Sequence, residues 1–260
     1  MIAVVTGASS GIGEATARRV ACEPGWEVVL VARREDRLRR LAGELGGATV
    51  VAADLLEEGA PAAVREALER EHGGALHLLV NNAGGAWRGR FGEAGWDNVK
   101  RHMELNFDAV CRLTEALLPA LRASAPSSIV NVSSTAGRVG RGNSGAYSAS
   151  KFALAGWSDA LHLEEREHGV HVGLVLPGFV ATEGFPQREL VGRRATRWMV
   201  TSPERVAEAI WQAGPGGRAE RYVPRPYWLA AALRTLAPPL VRRALGGGAA
   251  MTPRTRGDAD

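Results

Sequence analysis

Tyr147 and Lys151 stand four residues apart in the run Tyr147-Ser-Ala-Ser-Lys151. On a helix this spacing puts both side chains on one face, a turn apart. A phenol ordinarily loses its proton at about pH 10. An ammonium within about 4–6 Å lowers that value by roughly 1–3 pH units. A tyrosine so placed can trade a proton with an alcohol or a ketone near neutral pH. Ser134 stands thirteen residues before Tyr147, at the end of the apolar run Ile129-Val130-Asn131-Val132, where its hydroxyl could hold the same substrate oxygen. A solvated Tyr/Lys pair on a helix surface shares the spacing, so the pair alone does not decide. Composition adds weight: of the 32 basic residues, 30 are arginine and only Lys100 and Lys151 are lysine. A lysine at this position in an arginine-rich chain points to a need for a compact charge that a forked guanidinium does not replace.

The hydrophobic pattern supplies a frame for these residues. Val4-Val5 leads into Thr6-Gly-Ala-Ser-Ser-Gly-Ile-Gly13 and an Ala/Arg-rich helix to about Cys22. Trp26-Glu-Val-Val-Leu-Val31 reads as a second strand, and Leu38, Leu41 and Leu45 form a stripe on the helix after it. Residues 48–53 predict a third strand, residues 60–72 an amphipathic segment, and Leu76 to Val80 a fourth strand ending in Asn81-Asn-Ala-Gly84. A long helix is expected from about Asp97 to Leu121. The Ile129 strand, the helix of Tyr147 and Lys151, and a sixth strand from Val170 to Leu176 follow. Continuous apolar strands alternating with helices indicate a parallel sheet buried on both faces, an α/β doubly wound (Rossmann-type) single domain.

Ligands of such sheets sit at the carboxyl ends of the strands. Thr6-Gly7-x-x-x-Gly11-x-Gly13 falls there, with glycines for a tight turn, for close approach to a pyrophosphate and for packing of helix on strand. The helix start then offers free N–H groups to phosphate. Alone this turn is weak evidence; after the first strand of a βαβ unit it points to a dinucleotide. The second strand ends Val31-Ala32-Arg33-Arg34, with no acid before Glu35 to hold a ribose 2′-hydroxyl. An arginine there can instead pair with a 2′-phosphate, which favours NADP(H) over NAD(H). The same arginines would also suit a charged helix surface. Asp54, ending the third strand, could reach the adenine amino group or cap the next helix.

In these ordered motifs the sequence resembles the short-chain dehydrogenase/reductase family over roughly residues 2–224: the glycine turn, Asp54, Asn81-Asn-Ala-Gly84, Asn106, Ser134, Tyr147-x-x-x-Lys151, Pro177-Gly178 and Thr182. The resemblance implies a catalytic set of Asn106, Ser134, Tyr147 and Lys151. Tyr147 would be the general acid in reduction or the base in oxidation. Lys151 would bind the nicotinamide ribose and depress the Tyr147 pKa, Ser134 would hold the substrate oxygen, and Asn106 would hold a water linking Lys151 to solvent. The cofactor would lie along Gly7, Ser9, Ser10, Gly11, Ile12, Gly13, Arg33, Arg34, Asp54, Leu55, Asn82, Ala83, Gly84, Tyr147, Lys151, Pro177, Gly178, Val180 and Thr182. Ser10 departs from NADP-binding relatives that carry a second basic residue there, so Arg33 would act without that partner, with Arg34 beside it. The resemblance also implies a homodimer or homotetramer through the helices at about 97–121 and 146–168.

The pocket is expected among Gly85-Ala-Trp87-Arg88, the loop 135–146 and a mobile lid at about 183–200. In that lid Phe185, Leu190, Val191, Trp198 and Met199 suggest an apolar substrate, while Arg193, Arg194 and Arg197 suit an anionic group or a solvated face. The domain would span residues 1–225, with an amphipathic C-terminal extension at 226–245 and a disordered tail at 246–260. In the extension Leu229, Leu233, Leu236 and Leu240 recur beside Arg234, Arg242 and Arg243. Such a segment packs on its own protein or on a second subunit, or lies peripherally on an anionic membrane, where a lipid carbonyl becomes a fitting substrate.

The 260 residues suffice for one large core, and 45% hydrophobic with 23% charged residues is ordinary for a soluble globular protein. The net charge of +4 collects in the tail, and no basic stripe with interleaved aromatics marks a nucleic-acid surface. Cys22 and Cys111 lack metal-ligand spacing and are expected as buried thiols in a reducing compartment. No metal site, secretory leader or membrane span is expected, which places the protein in the cytoplasm. The function that emerges is an NADP(H)-dependent oxidoreductase interconverting a ketone or aldehyde and an alcohol. The alternatives are a catalytically silent NADP(H)-binding sensor or scaffold and a membrane-recruited lipid-carbonyl reductase.

Overall fold

The computed structural model describes residues 1–183 and 199–246. Its frame is a seven-stranded parallel sheet built from β1 (Ile2–Thr6), β2 (Glu27–Ala32), β3 (Thr49–Ala52), β4 (Leu78–Asn81), β5 (Ser127–Val132), β6 (Val170–Pro177) and β9 (Glu220–Val223). Two short strands, β7 (Phe179–Val180) and β8 (Val200–Thr201), pair beside it. The sheet order is β3-β2-β1-β4-β5-β6-β9, so the chain winds one way from β1 and the other way from β4. The crevice of a doubly wound sheet opens at that reversal, between the ends of β1 and β4.

Alternation along each strand builds two cores. Ala3 and Val5 join Val28 and Leu30 on one face, while Ile2 and Val4 join Val29 and Val31 on the other. The first face is covered by α1 (Gly11–Ala21), α2 (Glu35–Glu44) and the helix Pro203–Ala213, through Ala17, Leu38, Val206 and Ile210. The second is covered by α3 (Ala60–His72), α5 (Ala109–Ala123) and α6 (Gly145–Glu165). Leu113, Leu117 and Leu121 on α5 are fully buried at spacings of one turn. Each contributes about 1.5–3 kcal/mol by leaving water.

Two expectations change. The long helix starts earlier, as α4 (Phe91–Met103), bends where Gly95 takes φ 60°, and passes through a π turn at Glu104–Asp108 before α5. Cys22 is exposed rather than buried, because it caps the solvent end of α1; Cys111 is partly covered on α5, and burial pushes its thiol up to about 11. The C-terminal extension forms two helices, Tyr227–Leu236 and Pro238–Gly246, parted at Ala237 where Pro238-Pro239 cannot continue the first. The lid at 184–198 and the tail from 247 lie outside the described residues. Among the described residues no helix is long and apolar enough to cross a membrane.

Candidate active site

The carboxyl ends of β1, β4, β5 and β6 meet around a cavity of about 300 Å³. Its floor on the β1 side is the glycine turn, where Gly7 and Gly11 take φ +68° and +58°. A Cβ on Gly13 would sit 2.2 Å from the Gly7 carbonyl oxygen, so only glycine lets α1 start this close to β1. Ser10 is the N-cap of α1 and makes no side-chain capping bond, which leaves N–H groups of the first turn free to receive phosphate oxygens. Thr6 ties this turn to β4: its hydroxyl donates to Val80 O at 3.1 Å and accepts from the N–H groups of Asn82 and Ala83 at 2.9 and 3.0 Å. A dinucleotide fits such a cradle.

At the end of β2, Arg34 bends back over the glycine turn and donates to the hydroxyls of Ser9 at 3.0 Å and Ser10 at 2.7 Å. Arg33 points outward, 74% exposed and 3.7 Å from the Asp54 carboxylate. Asp54 also accepts from the Leu56 N–H at 3.1 Å, capping the turn after β3, and Leu55 beside it is buried. The basic group nearest the turn is therefore Arg34, with Arg33 at its rim.

Across the cavity, Ser134, Tyr147 and Lys151 share one wall. Ser134 caps the 3-10 turn Thr135–Gly137, accepting from Ala136 N–H at 3.1 Å. α6 is pinned to the end of β5 because Ser133 Oγ donates to the Lys151 carbonyl at 2.9 Å. The Lys151 side chain is buried and donates from Nζ to Val132 O at 2.9 Å. Burial pushes its ammonium down to about 8.

The spacing argument expects Lys151 to lower the Tyr147 phenol, and here the structure corrects it. Burial pushes the phenol up; the hydrogen bond it shares with Ser134 and the charge of Arg141 pull it partly back. Lys151 spends its hydrogen bond on Val132 instead. Asn106 sits in the π turn, a break in helical pairing that is frequent at functional sites. Its amide donates to Gly85 O and Ser150 Oγ and accepts from Gly85 N–H, at 2.9, 3.0 and 2.9 Å. A Cβ on Gly84 would lie 2.8 Å from Asn106 Oδ1 and 3.5 Å from Lys151 Nζ, so the π turn, the Asn-Ala-Gly turn and α6 converge on one point. Asn82, Pro177, Gly178, Val180 and Thr182 complete the wall with Ile12.

Four residues here have no local sequence signal. His102 is buried beside Trp87; it accepts from the Trp87 N–H at Nε2 (2.9 Å), and Nδ1–H donates to Asn98 O (2.7 Å), which defines a neutral ring. The Arg101 guanidinium lies over the Trp87 ring at 3.7 Å and the His102 ring meets it edge-on, so two neighbours fix Trp87 as a cavity wall. Arg141 lines the cavity, and Tyr227 lies against Gly178 while its hydroxyl donates to Met199 O at 2.9 Å. Among the described residues no cluster fit to hold a metal occurs.

The neutral His102 ring makes stability depend on pH. Its pKa is held below the ordinary 6.5, chiefly by burial. The unfolded chain therefore binds more protons as pH falls, and the folded state loses stability as pH drops through about 6.5 toward the lowered value. Urea midpoints between pH 7.5 and 5.5 should fall, and His102→Gln should flatten that decline; an unchanged slope in the variant counts against a neutral, buried His102.

The family model described as short chain dehydrogenase matches residues 1–189. Oxidoreductase UcpA of Salmonella typhimurium is 34% identical over 219 residues, covering 82% of this chain and 80% of that protein. The 3-dehydrosphinganine reductase of Danio rerio is 30% identical over 244 residues, covering 88% of this chain and 73% of its own. A crystal structure of a variant actinorhodin polyketide ketoreductase with NADPH superposes with a TM-score of 0.75 at 32% identity, covering 85% of this chain and 95% of that one. With the glycine cradle, the parallel sheet and the Ser-Tyr-Lys wall in place, these likenesses establish that the chain belongs to the short-chain dehydrogenase/reductase family and is an NAD(P)-dependent oxidoreductase.

Proposed function

We propose that the protein is an NADP(H)-dependent reductase of an apolar ketone or aldehyde, reversible toward the alcohol, with Tyr147 as general acid/base. The observation that carries this reading is one cavity lined by Ser134, Tyr147 and Lys151 together with Ile12 of the glycine turn. A nicotinamide bound on that turn supplies or takes the hydride. Ser134 and Tyr147 hold the substrate oxygen with their hydroxyls, and Tyr147 gives it the proton. Lys151 and Asn106, close together at Gly84, return a proton to Tyr147 through water. The raised phenol keeps Tyr147 protonated at neutral pH, the form that reduction needs.

NADP(H) is favoured because Ser10, Arg34 and Arg33 form a basic, hydroxyl-rich corner where an NAD-specific site would place an acid. The NADPH-bound ketoreductase neighbour is compatible with it. Trp87, Phe179 and Val180 on the wall favour an apolar body for the substrate. The protein acts as a cytoplasmic homodimer or homotetramer through α5 and α6; Phe152 (43% exposed) and Leu163 (72%) on α6 suit such an interface. Residues 1–225 form the catalytic domain, and residues 226–245 an extension anchored at its mouth by Tyr227. In that extension Leu229, Leu236 and Leu240 are 55%, 83% and 62% exposed, which favours a peripheral surface contact over packing on its own domain.

A panel of apolar ketones and aldehydes with NADPH should give turnover that Tyr147→Phe lowers by about a hundred- to ten-thousandfold in kcat. Equal rates in the variant refute the mechanism. NADPH should bind at least about tenfold more tightly than NADH, and Arg34→Ala should narrow that gap; native protein that prefers NADH removes the 2′-phosphate argument. Vesicles with anionic headgroups should sediment the native protein and release the double substitution Leu236→Glu/Leu240→Glu. If both stay in the supernatant, the extension serves a subunit contact.

A further inference from the structure

The cavity wall carries three cations, Arg88, Arg141 and Lys151, and among the described residues no carboxylate. Lys151 belongs to the proton path. The glycine turn that receives cofactor phosphates has its own arginine, Arg34, bonded to Ser9 and Ser10. Arg141 lies on the other side, on the loop leading into α6, with Phe179 and Tyr147 as neighbours along the wall. Its guanidinium carbon stands 4.9 Å from the centre of the Phe179 ring.

Among the described residues it has no acidic partner. Arg19, Arg37, Arg39, Arg122 and Arg138 each donate to a carboxylate. Arg141 makes no ion pair and no side-chain hydrogen bond among the described residues; it is half-buried against an aromatic face. Covering a guanidinium costs desolvation that is usually offset by an anion. Burial, and after the effect of nearby tyrosines the charge of Arg88, leave it less basic than an ordinary arginine, as expected for a cation waiting for a partner. Its planar fork matches a carboxylate or phosphate edge with two parallel hydrogen bonds.

We propose that Arg141 is a substrate-anion receptor: the carbonyl substrate carries an anionic oxygen group, carboxylate or phosphate, that docks on Arg141 while its reacting oxygen meets Ser134 and Tyr147. This rests on the cavity being the carbonyl site. It adds a specificity the apolar walls do not provide, because the same wall repels a cationic substrate.

The test uses the full chain saturated with the nicotinamide nucleotide it binds, as native protein, Arg141→Gln, Arg141→Lys and the charge control Arg65→Gln on the exposed face of α3. The first readout is the ratio of kcat/KM within two matched pairs: 4-oxopentanoate against its methyl ester, and dihydroxyacetone phosphate against dihydroxyacetone. The second, independent of turnover, is calorimetric binding of hexanoate against hexanamide and of phenyl phosphate against phenol. Native protein and Arg65→Gln should prefer the anion of at least one pair by about ten- to a hundredfold. Arg141→Gln should lose that preference and Arg141→Lys should keep part of it. The pair that responds tells carboxylate from phosphate. Reduction without any anion preference, or a preference that survives in Arg141→Gln, overturns the proposal and leaves the carbonyl reading intact. Anion binding that depends on Arg141 with no carbonyl reduced supports the receptor and overturns the carbonyl reading.

Discussion

The ammonium of Lys151 lies buried between α6 and the end of β5, and its one hydrogen bond among the described residues is to the Val132 carbonyl, 2.9 Å away. Carrying a charge there without a carboxylate is costly, and the cost appears as a pKa pushed down to about 8. A carboxylate in the cavity would relieve it but would hold Lys151 in a closed ion pair. The surroundings are neutral instead: Ser133 fixes the Lys151 backbone, Ser150 receives the Asn106 amide and donates to Tyr147 O, and Asn106 binds both polar groups of Gly85. Amides and hydroxyls fix position without adding charge.

The same arrangement reaches into the sheet. Asn131 on β5 accepts from Asn81 on β4 at 2.9 Å and donates to Ser158 on α6 at 2.9 Å. Thr6 joins β1 to the start of the Asn-Ala-Gly turn. Strand ends, the π turn and α6 are thus locked by buried and part-buried hydrogen bonds, and losing a buried one would leave unpaired groups costing about 1–3 kcal/mol each. A cavity built this way has rigid walls before any ligand arrives, and rigidity is what a proton transfer over one hydrogen-bond length demands.

The frame was legible because it repeats: apolar runs and helical stripes report the sheet and its two covered faces, and the glycine turn and the Tyr/Lys spacing are local in sequence. What was illegible depends on contacts between distant segments. Asn106 reads locally as an ordinary polar residue inside a helix, since nothing in Glu-Leu-Asn-Phe announces a π turn, and only the family resemblance places it at the site. His102 and Arg101 gain meaning only when Trp87, fourteen or more residues earlier, is folded between them. Arg141 is one arginine among 30 until the structure shows no acid beside it among the described residues. Periodicity also revealed the leucine stripe of the extension but not what it faces, and its leucines turn to solvent while Tyr227 packs against Gly178 of the cavity wall. The Lys151 effect on Tyr147 failed for a related reason: helical spacing places side chains on a face, whereas burial decides which charge state each prefers.

Under the proposed chemistry that last point turns into an advantage. A phenol raised by burial is a donor that stays loaded at neutral pH. Once it gives up its proton, it becomes a phenolate in a cavity whose charged groups, among the described residues, are all cationic. The Arg141 charge attracts the phenolate more than the neutral phenol, so its stabilisation grows as the proton leaves. Interactions that strengthen along the reaction lower its barrier, while equal attraction to both states would not. Burial and the Arg141 charge therefore pull in opposite directions on Tyr147, burial keeping the proton on before reaction and Arg141 easing its departure during it.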